Sequence, residues 1–266
     1  MKKILFRLLS VLYFLLIGTV YAQSSAEPVR LRFMTYNLYH GATQKGDFDL
    51  DLIASVINEQ KPDLVALQEV DLWTNRAHNM DLALELAQRT DMIPLFGKAM
   101  SYDDGEYGEA VLSRFSFSRT KNHPLPYTSG KEPRAALQTV VELPLGQKIS
   151  FIGTHLDHTN QDRNRIMQAK AINKIFKNCE MPAVLAGDLN ARPQSEPIRI
   201  LEKIWQPSFQ NPVPTFPSTD PDRKIDYIMY KPENRWKVIS KKVVDEQVAS
   251  DHCPVVVDIE LLPEKN

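Results

Sequence analysis

The chain has only two cysteines, Cys179 and Cys253, so no framework of disulfides can hold it together. Both sit among apolar residues and read as buried free thiols, with a single bridge as the alternative. Positive charge is not in surplus either: 32 Lys and Arg stand against 33 Asp and Glu. A chain so balanced has no bulk field to attract a polyanion, and a local basic patch or a bound cation would have to do so. Internal repeats, low-complexity tracts and an interdomain linker are all missing, which leaves one globular domain of ordinary composition, 43% hydrophobic and 24% charged. The apolar run from Leu8 to Val20 is short for a membrane span of about 20 residues. It follows Lys2, Lys3 and Arg7 and precedes Val20-Tyr21-Ala22, the order of a signal peptide over residues 1–22 cleaved after Ala22, with a retained anchor as the alternative. No cysteine follows it to carry a lipid. The expected mature domain, residues 23–266, keeps 29 basic and 33 acidic residues, a formal charge near −4, and is expected outside the cytoplasm, periplasmic or secreted.

What is present is a series of apolar strands that end in polar side chains. Val184-Leu185-Ala186-Gly187-Asp188-Leu189-Asn190 is the clearest, and if it stays extended Asp188 and Asn190 share a face. Val29 to Asn37 alternates and ends in an amide, Leu64 to Glu69 ends in a carboxylate, and Ile149 to His155 runs into an imidazole with Asp157 and His158 just beyond. Further strands are expected at residues 107–114, 115–121, 134–143, 224–230 and 236–244, the 224–230 strand carrying Asp226 near its start. Asp251 and His252 lead into a last apolar strand. Helical spacing marks residues 49–60, 79–90 and 161–176, and a short helix is expected within 195–204. Strands and helices interspersed in this way predict a single mixed α/β domain.

Carboxylates gathered at one place repel each other and resist burial, so their convergence would call for a cation. Oxygen donors without cysteine suit a hard ion, Mg²⁺ or Mn²⁺. Zinc is disfavoured for want of two histidines close together on one helix, although His155-Leu156-Asp157-His158 leaves it an opening. A hard metal, histidines and neutral amides suit the hydrolysis of phosphate esters.

Six motifs in order carry a resemblance: Thr35-Tyr36-Asn37, Leu67-Gln68-Glu69-Val70, Thr154-His155-Leu156, Gly187-Asp188-Leu189-Asn190, Ile225-Asp226-Tyr227-Ile228 and Ser250-Asp251-His252-Cys253-Pro254-Val255. From about residue 30 to 262 the chain resembles the endonuclease/exonuclease/phosphatase superfamily, which includes deoxyribonuclease I, exonuclease III, bacterial sphingomyelinase and inositol polyphosphate 5-phosphatase. The resemblance implies a four-layer α/β/β/α sandwich, two packed mixed β-sheets flanked by helices, with the site where strand ends meet. It implies Glu69 as principal Mg²⁺ ligand, Asn37 holding metal or phosphate, and Asp251 as ligand or neighbour of the metal. Asp188 would activate water, Asn190 contact the phosphate, His252 stabilise the transition state and Asp226 fix and charge His252. His155 would bind the phosphate from the other side. Glu109 stands where deoxyribonuclease I has a carboxylate and is expected to pair with His155; Arg134 resembles an arginine near the phosphate pocket, a structural ion pair being the alternative.

The resemblance is weak on substrate. Tyr39 stands where some abasic-site nucleases have an acid, the basic and aromatic loops of a duplex repair enzyme are not evident, and no long hydrophobic hairpin of the sphingomyelinase type is seen. The stretch from Trp73 to Lys98, with Arg76 and Asp81, resembles a bacterial subgroup of metal-dependent hydrolases. The expected activity is metal-assisted water attack on a phosphodiester, with a nucleic acid or phospholipid headgroup as candidate partner, no stable protein partner, and a monomeric chain. The alternatives are a phosphomonoesterase of the inositol-phosphatase type and a catalytically silent binding module. Tyr36, Tyr39, Tyr102, Tyr107, Trp205 and Phe216 are candidate pocket walls, plain packing being the competing reading.

Overall fold

The computed structural model describes residues 27–144 and 146–264. The expected signal peptide lies outside the described residues. Among the described residues, twelve strands form two six-stranded sheets. The first has the order β11 (Trp236–Val243), β12 (Val255–Leu261), β1 (Val29–Asn37), β2 (Leu64–Leu72), β4 (Gly105–Ser113), β3 (Ile93–Tyr102). The second has the order β5 (Phe117–Leu125), β6 (Arg134–Glu142), β7 (Lys148–His155), β8 (Ala183–Asp188), β10 (Asp226–Lys231), β9 (Gln206–Pro207). Both sheets are mixed: β1 runs parallel to β2 and β7 parallel to β8, and the other pairings are antiparallel.

Alternation along each strand sorts side chains into layers. In β1, Leu31 and Phe33 face the opposite sheet while Met34 and Tyr36 face the helices α1 (Leu50–Gln60) and α2 (Leu82–Thr90). In β8, Val184 and Ala186 join Phe33, Phe151 and Val257 between the sheets, while Leu185 packs outward on α3 (Arg163–Phe176) and α4 (Glu196–Leu201). Three cores thus separate four layers, the α/β/β/α order that was expected. The helices start where caps allow. Asp49 accepts from Leu52 N at 2.9 Å and Asp81 from Leu84 N at 3.0 Å, and α1 stops at Lys61 in a left-handed conformation just before Pro62.

The expected elements recur with small shifts at their ends, and two strands escaped the sequence. β3 is an edge strand whose Pro94 and Gly97 break the alternating pattern, and β9 is only two residues long. The two thiols are unbridged, Cys253 buried but Cys179 only half-buried, against the expectation that both would be covered.

Candidate active site

The parity that fills the space between the sheets continues to the strand ends and places the polar residues there. His155 on β7 is in register with Asp188 on β8, and Asp188 with Asp226 on β10, so the three stand in a row across the second sheet. Gly187 permits this approach, since a Cβ there would come within 1.9 Å of the Thr154 carbonyl oxygen. Opposite, Asn37 ends β1 on the same inner parity as Leu31 and Phe33. Its Nδ2 donates at 3.3 Å to both Glu69 Oε1 and Asp188 Oδ2, joining the two sheets. Glu69 owes its direction to a β-bulge: Gln68 and Glu69 both oppose Glu109, and Glu69 takes a left-handed φ of 57°. Gln68 then turns inward to accept from Thr35 Oγ1 at 3.1 Å, and the Glu69 carboxylate reaches the cavity.

β8 ends at Asp188, so the extended run does not carry through Asn190 as expected. Asn190 adopts φ 47° and its backbone N–H donates to Asp188 Oδ1 at 2.8 Å, an Asx-type turn that favours Asn there. The two side chains still line one cavity of about 330 Å³, together with Glu69, His155, Asp251 and His252. Tyr102, Tyr107 and Phe216 also line it. Tyr36 and Trp205 are core residues of the outer layers, and Tyr39 is not among the lining residues.

His252 Nδ1 donates to Asp226 Oδ2 at 3.0 Å, and Thr215 Oγ1 donates to that same oxygen at 2.5 Å. Burial works against charge on the ring, but Asp226, Asp188 and Asp251 outweigh it and push its pKa up to about 10. The imidazolium Nε2 lies 3.7 Å from Asp188 Oδ2, and the ring packs on Phe216 at 4.6 Å. Burial first, then the neighbouring Asp226, drive the Asp188 carboxyl well above its ordinary value. Burial also raises Asp251. Burial opposes charge at Glu69 too, yet His40, whose Nδ1 lies 3.5 Å away, with His155, Asn37 and His252, lowers it to about 2.

His155 is the neutral counterpart. Burial and the Arg134 charge hold its pKa well below 6.5. Its Nδ1 lies 3.4 Å from Arg134 Nη1, and its Nε2 lies 2.9 Å from Asn190 Nδ2 and 3.5 Å from Asp188 Oδ2, so both ring nitrogens face donors and Nε2 borders a carboxylate as well. A neutral imidazole can accept at only one nitrogen, and the buried Arg134 Nε has no partner at all among the described residues. Donors therefore outnumber acceptors on this side, while carboxylates crowd the other.

The expected pair of Glu109 and His155 does not form. Both Glu109 oxygens lack a hydrogen-bond partner among the described residues, and complete burial pushes the carboxyl up to about 8, so it carries its proton at neutral pH. His155 turns instead to Arg134 and Asn190 because those groups reach it from β6 and the β8 turn. Arg134 itself is buried, donates to Glu132 Oε2 at 2.8 Å and lies 3.1 Å from His158 Nδ1, so it is both ion-paired and at the cavity. Arg76, Arg223, Met100, Glu132, His158 and Ile225 line the cavity without having been assigned a role from sequence. Met100 sits on the irregular edge strand β3, and the others lie outside the strands and helices, where no periodic pattern exposes them.

Residues 34–252 match the Endonuclease/Exonuclease/phosphatase family. The chain belongs to that family. Members of the Endonuclease/Exonuclease/phosphatase family are hydrolases acting on phosphoester bonds. The chain is 25% identical over 250 residues to the uncharacterized protein YbhP of Escherichia coli K12, which covers 86% of this chain and 96% of that one. An endonuclease/exonuclease/phosphatase structure from Beutenbergia cavernae is similar with a TM-score of 0.71 at 25% identity, covering 87% of this chain and 72% of its own. The Bacteroides thetaiotaomicron mannosyl-6-phosphatase Bt3783 shares the fold with a TM-score of 0.69 at 20% identity, covering 86% and 99%.

Enzymes of this family's fold generally depend on a divalent metal, and the residues here fit one. Asp188, Asp226 and His252 offer three ligand atoms within 4.8 Å of one another. That trio is already committed, because His252 and Thr215 both bond Asp226. The better donors are Glu69 and Asp251. Glu69 is ionised with only two long contacts, Asn37 Nδ2 at 3.3 Å and His40 Nδ1 at 3.5 Å, and Asp251 has no side-chain partner among the described residues nearer than Ser250 Oγ at 3.5 Å. Two such carboxylates form a hard-donor pair, with the Asn37 amide beside them, its oxygen accepting from Tyr39 N at 3.0 Å.

Proposed function

We propose that the protein is a divalent-metal-dependent phosphodiesterase, using Mg²⁺ or Mn²⁺ held by Glu69, Asp251 and Asn37. The observation that carries this reading is the polarity of the cavity, a carboxylate-rich wall facing a donor-rich wall of Arg134, His155 and Asn190. A bound cation would supply positive charge to the phosphoryl and leaving oxygens. Asp188 orients the attacking water and takes its proton as the new P–O bond forms. Arg134, Asn190 and the His155 ring hold the non-bridging oxygens. His252, charged and fixed through Nδ1 by Asp226, presents Nε2–H to the negative charge that develops as the ester bond breaks.

Four carboxylates around the reaction centre favour a singly charged diester over a doubly charged monoester. The cavity volume suits a small headgroup or one nucleotide unit. Cleavage near Ala22 would place this activity outside the cytoplasm, and the chain would act as a monomer. The test compares bis-(p-nitrophenyl) phosphate with p-nitrophenyl phosphate in Mg²⁺. Faster release from the diester supports the reading, whereas a clear preference for the monoester would move the protein to the phosphatase side, where mannosyl-6-phosphatase Bt3783 stands.

A further inference from the structure

Beyond the reaction centre, one flank of the cavity carries a cation that the chemistry above leaves unused. Arg76 follows β2 and lines the cavity beside Tyr102 and Tyr107. Its Nε donates to Asp71 Oδ2 at 2.6 Å and its Nη2 to Asp71 Oδ1 at 2.8 Å. Asp71 is completely buried and is also held by Thr74 Oγ1 at 2.6 Å, so this carboxylate fixes the guanidinium rather than following it. The guanidinium carbon lies 4.5 Å from the Tyr102 ring centroid and 5.5 Å from that of Tyr107.

A guanidinium has five N–H donors in one plane. Two go to Asp71, and ring contacts occupy its faces, leaving the in-plane N–H groups of Nη1 free of any side-chain acceptor among the described residues. The side chain is 29% exposed against 0% for Asp71, and the exposed part borders the cavity. A pair serving only stability would need neither the opening nor the aromatic stack. Arg134 lies 5.8 Å from the same Tyr107 centroid, and of the two arginines it is the one that contacts His155. Arg134 is thus assigned to the reacting phosphate, whereas the side-chain hydrogen bonds of Arg76 among the described residues go only to Asp71.

We infer that Arg76 is a specificity residue that binds a second anionic group of the substrate, so that the preferred substrate is a small phosphate ester carrying a further phosphate or carboxylate. This rests on the phosphoesterase reading. It also resolves how an acidic chain attracts an anionic substrate, because the carboxylates crowd the reaction centre while a preorganised fork receives the second charge.

The test is calorimetric binding, in Mg²⁺, of thymidine 5′-phosphate and thymidine 3′,5′-bisphosphate to the wild type and to Arg76→Gln. The wild type is expected to bind the bisphosphate about tenfold tighter, the size of one charge-assisted contact of about 1.4 kcal/mol. Arg76→Gln should abolish that advantage while leaving monophosphate affinity within about twofold. Should the lone Asp71 carboxylate unfold the single variant, Asp71→Asn combined with Arg76→Gln removes both charges and provides the same comparison. An advantage that is absent in the wild type, or that survives in the variant, overturns the inference alone. If the wild type binds neither nucleotide yet hydrolyses bis-(p-nitrophenyl) phosphate, the inference falls alone; if it also fails to hydrolyse that diester, the phosphoesterase reading falls and takes the inference with it.

Discussion

At the scale of single residues, the contact between Asp226 and His252 sets the charge on which the chemistry depends. Burial alone would neutralise the ring, and the Asp226 carboxylate opposes that more strongly than any other neighbour. Replacing Asp226 with Asn removes the carboxylate but keeps the volume, so the His252 pKa falls from about 10 toward its ordinary value. The imidazolium is then lost as pH rises, and the alkaline limb of the kcat profile moves to lower pH by more than about one unit. At neutral pH kcat should fall by about 10²-fold or more, with KM changing less. Rate profiles of the two proteins measure this directly. An unchanged alkaline limb would mean that His252 does not act as the charged donor.

At the scale of elements, the site depends on strand register, and the register rests on Gly187. A methyl group there collides with the Thr154 backbone, so Gly187→Ala must push β8 away from β7 and part His155 from Asp188. We expect a loss of roughly 2 kcal/mol or more of stability, with activity falling further than stability alone explains. Thermal melts and kcat on the same preparation separate the two effects. Strand ends also decide what could be read in advance. Asp188, His155, Asn37 and Asp226 were legible because each closes an apolar run or opens one, and a period-two pattern fixes which face it takes. The bulge that turns Glu69 into the cavity left no such mark, since one extra residue in β2 shows only against its partner strand. The same holds for Glu109, which does not meet His155: its neighbours come from β2, β3 and β6, and no spacing along the chain encodes that meeting. Arg76 and Arg223 sit on loops, where neither period applies.

At the scale of the whole molecule, the four layers bring the ends of β1 and β2 against those of β7, β8 and β10. Asp258 ties the first sheet together beneath that edge. It accepts from Arg30 at 2.9 Å and from Arg32 Nε at 2.6 Å, and Ser240 Oγ donates to it at 2.8 Å from β11. Hydrogen bonding from Arg32 outweighs burial and holds its carboxyl far below 3.8. A folded value below the unfolded one stabilises the protein above about pH 4 and gives that stability up as pH falls further. Asp258→Asn should therefore cost roughly 2 kcal/mol at neutral pH, discounted for the partial exposure of both arginines, and the gap should narrow in acid. Urea titrations at pH 7 and near pH 3 give both values.

In the proposed reaction a cation held by Glu69 and Asp251 works with Asp188 and His252 on a phosphodiester. Its most direct measurement is hydrolysis of bis-(p-nitrophenyl) phosphate by residues 23–266 in Mg²⁺, Mn²⁺ and EDTA, beside Glu69→Gln, Asp188→Ala and His252→Ala. Turnover is expected with either metal and not in EDTA, with restoration on adding metal back and at least about 10²-fold less kcat/KM in each folded variant. Turnover that persists in EDTA, or in folded Asp188→Ala and His252→Ala proteins, would contradict it.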